Sequence, residues 1–118
     1  MKLTFLGHAG FLLEGSKSIV IDPFLTGNPV AKTKVEDIKA DLVLVSHGHG
    51  DHLGDSIAIA KQSGGTVVSV HELATFASRQ GAKSHSLHIG GSNTIEGVKI
   101  KLTPAWHGSG FGDGPMEY

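Results

Sequence analysis

Directly after the apolar run LVLV at residues 42–45 the chain reads SHGHGDHLGD, residues 46–55, so that His47, His49, Asp51 and His52 fall within six positions. A short run of branched and leucine side chains reads as a strand in a buried sheet, and a charged cluster at its end does nothing to build a core. The fold must therefore end one of its central strands in a loop that carries four polar ligands. Gly48 and Gly50 interrupt them, and residues without a Cβ let backbone curl tightly. Imidazole nitrogen and carboxylate oxygen are the donors that borderline divalent ions such as Zn²⁺ take. His47 and His49, two apart, project to the same side of extended backbone, while Asp51 and His52 follow at a bend and face a second position. A merely polar turn accounts for one or two of these residues but not for all four, and the stretch reads as a site for one ion or two adjacent ones.

With 118 residues, 39% of them hydrophobic, the chain fits one domain, residues 1–118, with a modest core. The net charge is −1 and Lys and Arg are scattered, so no basic footprint for nucleic acid exists. There is no cysteine. That excludes a disulfide scaffold, thiolate ligands and a thiol nucleophile together, and leaves nitrogen and oxygen to hold any metal. The opening MKLTFLGHAGFLLEG has a short apolar run broken by Gly7, His8 and Gly10, which fits neither a signal peptide nor a membrane span. A cytoplasmic protein is the expectation. Seventeen glycines suit tight turns between short strands.

Residues 2–6 and 11–14 read as strands joined by a glycine-flanked turn around His8, and 18–22 as a third strand ended by Asp22-Pro23. Thr33-Lys34-Val35-Glu36 matches a capping box and predicts a short helix over 35–39. A helix over 53–62 follows the cluster, with Leu53, Ile57, Ala58 and Ala60 as its apolar set and Gly64-Gly65 as its stop. After a strand at 66–69, a second capping box from Ser69 to Glu72 precedes a helix whose Leu73, Phe76 and Ala77 share one face. Strands are expected at 84–88, around Thr94 and at 98–104, the last delivering Trp106 and His107. Trp106 reads as core packing, Lys99 and Lys101 as the wet side of that strand, and His71, His85 and His88 as ordinary surface histidines. Residues 108–118 show no element of their own.

The run His47-Gly48-His49-Gly50-Asp51-His52 resembles the His-x-His-x-Asp-His signature of the metallo-β-lactamase superfamily. LGHAGF (6–11), IDPFLTGNP (21–29) and PAWHGSG (104–110) are similar to its metal-dependent hydrolase branch, which also resembles the ascorbate-phosphate lactonases and N-acyl-phosphatidylethanolamine phospholipases. The resemblance implies that His47, His49 and His107 ligate a first metal and Asp51 and His52 a second, with Asp22 in support of the ligands and His8 at the rim. It also implies an α/β fold, a four-layer αββα sandwich of two similar halves. The later half supplies a bridging Asp and a last His, and Asp113 reads as loop, so the chain matches the N-terminal half: one mixed β-sheet with flanking helices. Such a half leaves an apolar sheet face open, so either the chain is a fragment or a second chain, another copy or a complementary half, covers it.

The activity implied is that of a metal-dependent hydrolase using a metal-activated hydroxide, with Asp51 as the catalytic carboxylate. Zn²⁺ is the first expectation and Mn²⁺ or Fe the next; the substrate is a small ester, lactone or phosphodiester, anionic because the ions leave the pocket positive. Two other readings stay open: a non-catalytic metal-binding half-domain, and a structural subunit that needs a second chain.

Overall fold

The computed structural model describes residues 1–112. Residues 113–118, including Asp113 and the end of the glycine-rich tail, lie outside the described residues. Strands β1 (Lys2–Gly7), β2 (Gly10–Glu14), β3 (Ser18–Ile21), β4 (Leu42–Leu44), β5 (Thr66–Val70) and β6 (Lys83–Leu87) form one mixed six-stranded sheet in sequence order. β2 is antiparallel to both its neighbours, and β3 through β6 are parallel. Two antiparallel steps restore the chain direction, so β1 runs with β3 to β6. The turn after β1 therefore opens at the same edge as the ends of β3 and β4. A second, antiparallel ribbon consists of β7 (Ser92–Ile95) and β8 (Val98–Lys101).

Alternation along the strands builds two cores. On one face Val20, Val43 and Val67 pack with Ile59 of α2 (Ser56–Ser63) and with Leu73 of α3 (His71–Arg79), all fully buried. On the other face Leu42, Val68 and Leu87 pack against Ile100 of the ribbon. This is the mixed α/β half of a metallo-β-lactamase-like sandwich that the motifs imply, with the ribbon as an addition. None of the described helices is long and apolar enough to cross a membrane.

Several expectations need correction. The helix over 35–39 is a single 3₁₀ turn, Val35–Asp37, with no side-chain cap: Ile38 turns extended, and Gln62 Nε2 donates to the carbonyls of Val35 and Ile38 instead. The helix expected over 53–62 begins only at Ser56, as α2: Leu53 instead ends a separate short helix, α1 (Gly50–Leu53), and the chain turns between them at Gly54, whose φ of 44° a side chain would contest. A Cβ there would press on the Pro23 carbonyl, which accepts the Asp55 N–H. In α2 Ala60 is buried as expected and Ile59 is buried with it, while Ala58 is exposed. The second capping box does not form, because the Ser69 hydroxyl donates to Val45 O at 2.8 Å and α3 begins uncapped. Strand β8 stops at Lys101, so His107 comes from a loop rather than a strand end. Trp106 is 96% exposed and packs in no core.

Candidate metal centre

The sheet edge collects its polar residues by topology. His8 sits in the β1–β2 turn, Asp22 directly follows β3, Ser46 and His47 follow β4, and residues 49–52 wind into α1. His107 arrives from the loop beyond β8. His8 and Asp22 are held at positive φ, 58° and 43°. For residues with a Cβ this conformation costs on the order of 1 kcal/mol or more and concentrates at functional sites.

The structure brings these side chains into two groups. His47, His49 and His107 form one; His8, Asp51 and His52 form the other; in each, one ligand atom per residue lies within 4.8 Å of the rest. Within the first, ring centroids are 4.5 Å apart for His47 and His107, 5.0 Å for His47 and His49 and 4.9 Å for His49 and His107. The groups adjoin through His47 and His52, whose centroids are 4.1 Å apart. His8, expected only at the rim, stands with its Nε2 3.0 Å from Asp51 Oδ2.

Beneath both groups lies the buried Asp22. Its Oδ1 accepts the Ser46 N–H at 2.8 Å, and its Oδ2 accepts the Ser46 hydroxyl at 2.5 Å and faces His52 Nδ1 at 2.9 Å. Ser46 Oγ also lies 2.9 Å from His47 Nδ1. His107 Nδ1 is tied to the Gly108 carbonyl at 2.7 Å. The outer nitrogen of His47, Nε2, is buried without a hydrogen-bond partner. An unsatisfied buried polar atom costs roughly 1–3 kcal/mol. A divalent cation among three imidazoles would satisfy this one, and a set of nitrogens with one carboxylate fits such an ion.

Burial holds the His47 pKa below its ordinary 6.5, with His52, His107 and His49 adding like-charge repulsion against only a weaker pull from Asp22. For Asp51, desolvation favours the neutral acid, but its own backbone amide, His52 and the hydrogen bond from His8 outweigh this and hold the carboxyl below the usual range. Both shifts keep lone pairs available to a cation near neutral pH.

The His107 loop is fastened to the cluster at two points. Gly48 N–H donates to Ser109 Oγ at 2.9 Å, and the buried Phe111 ring lies on Gly48 and meets Phe76 edge-on at 5.4 Å. Any Cβ at residue 48 would overlap the Phe111 ring. Ser46, Ser109 and Phe111 carry no ligand chemistry of their own and do not stand out in the sequence; the only signals for them are a hydroxyl next to a ligand histidine and a GSGF segment after His107. His71, His85 and His88 stand outside both groups, with His71 and His88 stacked on each other at 6.5 Å.

Residues 2–117 match the family described as beta-lactamase superfamily domain. The chain is 74% identical to a metal-dependent hydrolase of Pelotomaculum thermopropionicum and 61% identical to one of Carboxydothermus hydrogenoformans, in each case over its whole length and 53% of the relative. It thus spans about half the length of the curated relatives it matches. Among solved structures, a metallo hydrolase from the hyperthermophilic archaeon Ignicoccus hospitalis superposes with a TM-score of 0.83 at 36% identity, over 97% of this chain and 52% of that one.

Proposed function

This chain belongs to the beta-lactamase superfamily, and we propose that it carries the ligand cluster of a metal-dependent hydrolase that cleaves a small ester, lactone or phosphodiester. The observation that carries the reading is the convergence of two adjacent ligand groups around a buried His47 Nε2 that has no partner in the protein. His47, His49 and His107 would hold one cation; Asp51 and His52, with His8 beside them, would hold a second. Zinc is the first choice, with manganese or iron next, because imidazole and carboxylate do not by themselves select among them. When bound, such ions lower the pKa of water toward neutrality and neutralise negative charge developing on a substrate oxygen.

The chain's own residues have distinct parts. Asp51, held ionised by its own backbone amide and by His52 and His8, would help hold the second cation and accept a hydrogen bond from the attacking water. Asp22 anchors His52 directly, an outer contact of the kind that orients ligand imidazoles. A site that gathers divalent charge around one carboxylate favours anionic substrates. We also infer that residues 1–118 act as the N-terminal half of the fold, and that the open sheet face around Leu3 and Phe5, both more than 60% exposed, is covered by the remaining half of the fold or by a second chain.

The test joins metal content per chain to a panel of lactone, phosphodiester and ester substrates with added Zn²⁺ or Mn²⁺. The reading expects bound metal and metal-dependent turnover, and it expects Asp51→Ala to abolish turnover while the three-histidine group keeps its ion. Metal without turnover on any substrate class supports a purely binding role, and unchanged turnover in Asp51→Ala refutes the part given to that residue.

A further inference from the structure

We propose that Ser46 is a positioning residue: its hydroxyl extends the hold of Asp22 to His47, so that a single carboxylate sets the tautomer of one histidine in each ligand group. A carboxylate only accepts, and Asp22 Oδ2 stands 2.5 Å from Ser46 Oγ, so the one hydroxyl proton of Ser46 must lie between them. That proton is then spent. Ser46 Oγ has only lone pairs to offer toward His47 Nδ1 at 2.9 Å, so the contact exists only if His47 carries its proton on Nδ1. The consequence falls on the far side of the ring, where Nε2 keeps a lone pair, and this is the buried atom without a partner.

The same carboxylate oxygen treats His52 in the same way without an intermediary. His52 Nδ1 lies 2.9 Å from Asp22 Oδ2 and must donate to it, leaving the His52 lone pair on Nε2. The reverse arrangement at Ser46, with its hydroxyl turned to His47, would set two bare oxygens against each other at hydrogen-bonding distance with no proton between them. Ser46 further donates its backbone N–H to Asp22 Oδ1 at 2.8 Å, so the relay cannot swing away while Asp22 keeps its place. The left-handed backbone of Asp22 is what aims the carboxylate at these partners.

The inference rests on the metal-centre reading for its purpose but not for its test, which is made first on the metal-free chain. Nitrogen-15 spectra of the imidazoles, recorded above the pH range in which histidine titrates, report which ring nitrogen is protonated. The native chain should show His47 and His52 protonated on Nδ1. Ser46→Ala should release His47 into a mixture of tautomers while leaving His52 unchanged, and Ser46→Thr, which keeps the hydroxyl, should restore the native pattern. With Zn²⁺ added, Ser46→Ala should weaken the first ion by roughly 10- to 100-fold and Ser46→Thr should not. A native His47 protonated on Nε2, or a folded Ser46→Ala chain with an unchanged His47 spectrum, overturns the proposal. Should Ser46→Ala fail to fold, the native and Ser46→Thr spectra still decide it. A chain that binds no metal but shows the expected tautomers defeats the hydrolase reading and leaves the relay standing.

Discussion

His47 is where burial and ligand chemistry meet, and it makes the stability of the metal-free chain depend on pH. Its pKa in the fold lies below the ordinary 6.5, chiefly because the ring is buried and then because three other histidines surround it. The unfolded chain therefore binds a proton at this residue more readily than the folded chain does. Stability contributed by keeping His47 neutral is fully present above 6.5 and is lost as pH falls below that value toward the folded pKa. Asp51, also held below its usual range, acts with the same sign but in the more acidic carboxylate window, so the two are separable. The expected outcome is a melting temperature for the metal-free chain that is level above neutrality and declines through mildly acidic pH. His47→Asn, which keeps a donor for Ser46, should flatten that decline. A native chain whose melting temperature does not change between about pH 7.5 and about pH 5.5 would show that His47 takes up its proton in the fold as easily as in the open chain.

Among the elements, the segment that carries His107 owes its place to a glycine. Phe111 occupies the space a side chain at residue 48 would fill, while Ser109 accepts the Gly48 N–H, and between them the loop is drawn onto the first two histidines. Gly48→Ala should cost about 1–3 kcal/mol through overpacking, and Phe111→Ala about 3–5 kcal/mol through the cavity it leaves. In the double variant the new methyl enters the vacated space, so the combined loss in urea denaturation should fall short of the two added together. Simple additivity would mean that the ring and the glycine do not share a contact. This fastening also marks the limit of what the sequence discloses. The ligand run was legible because three histidines and an aspartate in six positions serve no packing purpose, and α3 because Leu73, Phe76 and Ala77 repeat at helical spacing and are indeed buried. The capping box at Ser69 misled because a serine hydroxyl takes whichever carbonyl the tertiary fold offers, and Ser69 found Val45. Gly54 broke a helix whose pattern looked continuous, since the close approach of Pro23 is a contact between distant segments. Trp106 stands in the solvent, and the aromatic ring that this loop buries is Phe111.

Taken as a whole, the molecule covers its sheet unevenly. The helices close one face, and the β7–β8 ribbon closes the other only over its central and β6 side, with Ile95, Val98 and Ile100 packed near Leu42, Val68 and Leu87. Toward β1 the same face continues as a row set by register, in which Leu3 pairs with Leu13 and Phe5 with Phe11, and those pair in turn with Ile19 and Ile21. Leu3 and Phe5, at the outer end of this row, are 64% and 62% exposed. A contiguous apolar row on the outermost strands is the kind of surface that a protein partner covers, and the relatives, about twice as long, have as much sequence again available to do so. The chain alone should therefore sediment above its monomer mass of 12.3 kDa, through pairing of this face with a copy of itself. Replacing Leu3 and Phe5 by lysine should return it to monomer mass with its metal content intact, because the ligand groups sit at the strand ends and not on the row. If the native chain stays monomeric and also fails to bind a chain carrying the remaining half of its relatives' sequence, the face is not an interface, and the inference of a covering chain falls.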